Sequence, residues 1–125
     1  DFGHTPRNYG LINSTSEWVV MTGEDNYYTP VFVDEFLKAE TKNASLIYCN
    51  MVHNWKNNDY IPIKCNVHGG LIDIGCFAVR KKFCGELKLD LTKKELADFY
   101  FVKDFLNLNK QREVIYVDKI LYVHN

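Results

Sequence analysis

Trp18-Val19-Val20-Met21-Thr22-Gly23-Glu24-Asp25-Asn26-Tyr27-Tyr28-Thr29-Pro30 is an apolar, partly β-branched run that stops abruptly at two adjacent carboxylates and an amide. The hydrophobic half predicts a buried strand. Glu24 and Asp25 then fall at its carboxyl end, the edge at which open α/β sheets bind ligands. Neighbouring carboxylates repel one another and favour water or a cation, and hard oxygen ligands suit Mg²⁺ or Mn²⁺ bridging to phosphate. A solvated acidic turn is the simpler alternative, because Asp and Asn are ordinary turn residues.

Outward from this stretch, Pro6-Arg7-Asn8-Tyr9-Gly10 opens a short helix that runs toward Ser16, and Pro30 sits where the first turn of another helix begins. Residues 31–41 form an amphipathic helix, with Phe32, Phe36 and Leu37 as its apolar stripe and Asp34, Glu35, Lys38 and Glu40 on the wet face. Residues 44–51 have the composition of a central strand, 54–59 are a polar loop carrying Trp55, and 61–67 are a further short strand. After the flexible Gly69-Gly70 pair, 71–79 is a strand-like apolar run interrupted by Asp73, and 80–86 turns helical. Thr92, with Glu95 three residues on, has the spacing of a capping box for a helix whose apolar face takes Leu96, Phe99, Tyr100 and Phe105. A polar connection over 107–112 leads to a last strand over 114–123, from whose end His124 emerges.

Composition sets the outer bounds. With 125 residues, 46% hydrophobic and 25% charged, the chain reads as one globular domain over 1–125. A formal net charge of −1 supplies no basic field, so nucleic acid is not an expected partner. No stretch reaches the roughly 20 apolar residues of a membrane span, and no leader pattern is present, so a soluble, cytoplasmic protein is expected. The four cysteines, Cys49, Cys65, Cys76 and Cys84, are too sparse for a disulfide-stapled scaffold and read as reduced thiols.

The sequence Arg7-Asn8-Tyr9-Gly10, a short helix, a hydrophobic strand ending in acids, Tyr27-Tyr28-Thr29-Pro30 and a second helix resembles the middle of nucleotide-sugar glycosyltransferases of the GT-A fold, around their Asp-x-Asp motif. The resemblance continues through His68-Gly69-Gly70-Leu71-Ile72-Asp73-Ile74-Gly75, Ala97-Asp98-Phe99 and Ile120-Leu121-Tyr122-Val123-His124-Asn125. It covers the chain from Pro6 onward and looks most like small family-two-type transferases, including those encoded by large algal viruses. It implies an α/β, Rossmann-like fold with a mixed sheet flanked by helices. In that fold a first half of roughly 80 residues, several βαβ units, precedes the acidic motif and carries the base pocket. The chain therefore corresponds to the C-terminal portion, the metal-binding and acceptor-side part.

The implied chemistry is transfer of a sugar from a nucleotide-diphosphate donor to the hydroxyl of a glycan or other acceptor, assisted by Mn²⁺ or Mg²⁺. A cation neutralises the departing diphosphate. Asp25 is the first candidate for holding it, Glu24 contacts the donor ribose or the metal through water, and Asn26 stands where many relatives carry a second aspartate. His124 resembles the late histidine that completes the metal shell in several such enzymes. An inverting enzyme also needs a general base for the acceptor hydroxyl. Asp98 and Asp73 compete for that role; the resemblance favours Asp98, although Ala97-Asp98 replaces the usual Glu-Asp. Asp73 alternatively binds donor-sugar or acceptor hydroxyls. Arg7 resembles a donor-side anchor, and His68, Gly69 and Gly70 offer backbone that can approach a sugar or diphosphate closely.

Two other readings stand beside this one. Cys49, His53, Cys65 and His68 supply two thiols and two imidazoles for a tetrahedral zinc site, which would make the chain an interaction module. A catalytically dead, sugar-binding remnant is the other.

Overall fold

The computed structural model describes residues 1–54 and 59–125. Among these residues three α-helices, α1 (His4–Asn13), α2 (Phe32–Ala39) and α3 (Ala97–Leu108), accompany six strands: β1 (Trp18–Val20), β2 (Tyr27–Tyr28), β3 (Ala44–Asn54), β4 (Tyr60–Ile63), β5 (Phe77–Arg80) and β6 (Glu113–His124). The strands form one mixed sheet in the order β1-β5-β3-β6-β2, with β4 pairing the far end of β3. Among the described residues only β3 and β6 run parallel; the other pairs are antiparallel.

The sheet is built around β3, whose first eight residues are all buried. A strand covered on both faces cannot alternate apolar and polar residues, and Ala44 to Met51 does not. The helices divide between the faces. Phe32 and Phe36 of α2 share an apolar hollow with Val20, Ile47 and Ala78, three cross-strand neighbours. Phe77 precedes Ala78 and so points to the other face, where its ring stacks on Phe101 of α3 at 6.2 Å. In α2, Asp34 and Glu35 occupy the first turn and Lys38 the last, each placed favourably for the helix dipole.

Several expectations change in detail. The first strand is a half-buried three-residue edge strand rather than a buried interior one, because β5 is its one strand neighbour among the described residues. The apolar run over 71–79 becomes a strand only from Phe77. The Asp73 carboxylate accepts from the Gly75 amide at 3.0 Å and bends the chain into a 3-10 turn over Ile74–Cys76. The strand expected over 61–67 is Tyr60–Ile63, and residues beyond it close the Gly69-Gly70 turn through a bridge between Asn66 and Leu71. Helix over 80–86 shrinks to one 3-10 turn, Lys81–Phe83, ahead of Gly85 at φ 56°. Asp90, not Thr92, caps the next segment: its carboxylate accepts from both the amide and the hydroxyl of Thr92. Lys94 then breaks the helical path at φ 51°, so α3 starts at Ala97 and leaves Leu96 exposed. Leu37 is likewise exposed rather than part of the buried stripe. The expected polar loop with Trp55 falls mainly on 55–58, outside the described residues.

One buried cation fastens the edge of the sheet. Arg80, whose side chain is 5% exposed, donates to the carbonyls of Ala44 (2.8 Å) and Thr41 (2.7 Å), pairs with Glu17 and lies over the Trp18 ring. Lysine keeps the charge but not the planar fork. Arg80→Lys therefore strands one buried carbonyl and is expected to lower unfolding free energy by about 1.5 kcal/mol, read from the urea midpoint at constant slope.

Among the described residues no helix is long and apolar enough to cross a membrane. All four cysteines are buried free thiols.

Candidate active site

Two cavities adjoin at Arg7, which lines both. Helix α1 presents this residue, and its guanidinium is held by the carbonyls of Thr22 (Nε, 3.1 Å) and Phe2 (Nη1, 2.6 Å). The first cavity, about 790 Å³, lies along the end of β1 and the following turn, and Glu24 and Asp25 sit in its wall. Both carboxylates are exposed. Their place past the end of a strand is the one expected from the apolar run that precedes them.

The second cavity, about 500 Å³, gathers Asn26, His53, Asp73, Asp98 and His124 around Arg7. Each comes from a different element. Asp73 is set by its own turn; one carboxylate oxygen is taken by the Gly75 amide, and the other lies 3.8 Å from His124 Nε2. His53 and His124 pair in register near the ends of the parallel strands β3 and β6, and their Nε2 and Nδ1 atoms are 2.7 Å apart. Burial, then the neighbouring His124, push the His53 pKa down. Asp98 lies in the first turn of α3, where its Oδ1 accepts from the Phe99 amide at 2.8 Å. Burial pushes its carboxyl up to about 6, with the Asp73 charge adding to the rise and the Phe99 amide opposing it. The backbone of Asn125 donates to Asn26 Oδ1 at 3.0 Å, so the end of β6 is tied to the acidic turn.

The remaining candidates are spread out. Gly70, at φ 76°, lines the second cavity and lies so close to the Phe99 ring that a Cβ would stand 2.8 Å from it. His68 and Gly69 are exposed, and neither lines the two cavities at Arg7; their amides instead donate to Asn66 Oδ1. Two contributors escaped sequence reasoning. His53 figured there only as a zinc ligand, since nothing local announces a partner 71 residues away. His4, buried in α1 and lining the second cavity, donates from Nε2 to the Lys94 carbonyl at 2.7 Å, bracing the chain ahead of Asp98.

A divalent cation of the Mg²⁺ or Mn²⁺ kind commonly takes one or two carboxylates and completes its shell with phosphate oxygens and water. Glu24 and Asp25, with the Asn26 carboxamide beside them, match that donor chemistry. The expected three-residue shell including His124 is not assembled, because that imidazole is engaged with His53 and Asp73. Among the described residues no three His, Cys, Asp or Glu side chains are grouped to hold a metal. The same finding dissolves the zinc quartet: Cys65 faces Cys76 at 3.7 Å, Cys49 bonds the Cys76 carbonyl, and His68 points to solvent.

No family model matches the chain, and no curated protein matches it in sequence. Its fold is similar to that in the crystal structure of S. aureus TarS 1-349, with a TM-score of 0.75 at 13% identity. The match takes in 98% of this chain and 40% of that one, so the chain spans about two-fifths of TarS 1-349. At this identity the likeness is one of fold alone, a mixed α/β architecture.

Proposed function

We propose that the chain is the metal-binding and acceptor-side part of a glycosyltransferase of the GT-A type, moving a sugar from a nucleoside-diphosphate donor to an acceptor hydroxyl with inversion. The observation that carries this reading is the pair of cavities meeting at Arg7, with exposed carboxylates in one and a carboxyl titrating near 6 in the other. The fold held in common with TarS, a glycosyltransferase, supports it.

In this reading Glu24 and Asp25 hold Mn²⁺ or Mg²⁺, which when bound supplies positive charge to the donor diphosphate. Arg7, already oriented by two carbonyls, faces the same diphosphate from α1. Asp98 removes the acceptor proton: a carboxyl titrating near 6 is largely ionised at neutral pH, yet more basic than an ordinary aspartate. Asp73, set beside His124, receives sugar hydroxyls, and His53 holds that imidazole in place. Gly70 lets backbone approach the ligand, and His68 and Gly69 belong to the same turn.

A screen of nucleotide sugars for metal-dependent hydrolysis and thermal stabilisation tests this, since a ligand that binds only the folded state must raise its stability. One donor class is expected to do both. Stabilisation without turnover under any acceptor would leave a sugar-binding remnant in its place.

A further inference from the structure

Cys65 and Cys76 lie eleven residues apart in sequence and come from different segments, one following β4 and the other closing the 3-10 turn ahead of β5. Their sulfurs are 3.7 Å apart. A disulfide needs about 2.0 Å, so closure asks less than 2 Å of combined sulfur movement. The two thiols are unequally placed. Cys65 lies in the wall of an open surface depression of about 610 Å³ that also takes in Lys64, Asn66 and Gly69, whereas Cys76 is fully buried behind it. We propose that Cys65 and Cys76 form a reversible dithiol–disulfide site, oxidised by peroxide reaching Cys65 from this depression.

The ionisation preferences run the same way. The neighbouring Cys76 sulfur holds Cys65 below the usual thiol range, while burial pushes Cys76 well above it. Cys65 is then the attacking sulfur and Cys76 the resolving one. In the first step the Cys65 thiolate bonds one peroxide oxygen, the O–O bond breaks, and the departing hydroxide takes up a proton as water, leaving a sulfenic acid. In the second the Cys76 sulfur attacks the Cys65 sulfur, the S–O bond breaks, and the hydroxide leaves with the Cys76 proton as a second water. Two thiols lose two electrons and two hydrogens; one peroxide becomes two waters.

The bond would be felt at Asp73. Cys76 Sγ now donates to the Asp73 carbonyl at 3.1 Å and accepts from the Asp73 amide at 3.3 Å. Oxidation consumes that S–H and removes the donated bond from the turn. Any consequence for transfer rests on the function proposed above, but the disulfide does not.

The test is a hydrogen peroxide titration of the folded full chain, followed by non-reducing peptide mapping with mass spectrometry. A Cys65–Cys76 crosslink two hydrogens lighter, reversed by dithiothreitol, is expected, with Cys49 and Cys84 still alkylatable after unfolding. Cys76→Ser is expected to accumulate a Cys65 sulfenic acid that a 1,3-dicarbonyl probe captures. If that variant does not fold, Cys65→Ser serves instead and must abolish the crosslink while leaving Cys76 unmodified. A crosslink through Cys49, sulfinic acid at Cys65 beside a free Cys76, or inertness of both at doses that oxidise the unfolded chain would each overturn the proposal. None of these readouts involves a sugar donor, so failure here and failure of the transferase reading are separate results.

Discussion

Asp98→Asn is expected to lower the rate of sugar transfer by roughly 10² to 10⁴, the range in which a positioned general base contributes, while leaving the protein folded. The amide keeps an oxygen for the Phe99 amide 2.8 Å away, so the local hydrogen bond survives. What disappears is the proton acceptor. Wild-type turnover should rise as pH passes through about 6 and level off above it, and the variant's residual rate should lose that limb. Stability provides an independent check of opposite sign. A carboxyl with a folded-state pKa near 6 and an unfolded one near the aspartate reference binds protons more tightly when native. The unfolded state then binds fewer protons between about pH 4 and 6, so this group's contribution to stability falls as pH rises across that window. Replacing Asp98 by Asn removes the fall, and the variant should melt no lower than wild type at neutral pH. Loss of turnover accompanied by unfolding would instead mark Asp98 as a structural residue.

Gly75→Ala is expected to cost about 3 kcal/mol of unfolding free energy, the upper part of the range for overpacking a filled core. A Cβ at this position would overlap the ring carbons and hydroxyl oxygen of Tyr122. That ring has nowhere to go: Tyr122 is fully buried and packs on Tyr28 at 5.1 Å, which in turn packs on Phe32 of α2 at 4.4 Å. The carbonyl of Gly75 also accepts from Tyr28 Oη at 2.8 Å. Strands β2 and β6 and helix α2 therefore converge on one residue without a side chain. Chemical denaturation measures the loss, and a change below about 0.5 kcal/mol, typical of a surface substitution, would show that the ring can yield.

The same turn explains which parts of the fold were legible from residues alone. Strands β3 and β6 and helix α2 rest on long, consistent patterns: a run rich in Leu, Ile, Tyr and Cys, an alternating one, and a stripe with a charged back. The acidic turn was visible for a similar reason, since the apolar character of Trp18 to Met21 stops within a few residues of Glu24. Between Leu71 and Phe77 composition misleads, because one carboxylate bonding a backbone amide two residues on outweighs the β-propensity of its apolar neighbours. At Thr92 two residues of capping type stood close together, and Asp90 took the role by accepting from Thr92 itself. The assembly of the second cavity was beyond reach, since the meeting of His53 with His124 is decided by the parallel register of β3 and β6.

Whether the acidic turn holds a cation for a diphosphate is read from calorimetric titration of UDP and GDP with and without Mn²⁺. At least one diphosphate is expected to bind in an Mn²⁺-dependent manner, and Asp25→Ala to weaken this binding at least about tenfold, or 1.4 kcal/mol. Diphosphate binding that is indifferent to both Mn²⁺ and Asp25→Ala, or no binding by the folded protein at all, would contradict it.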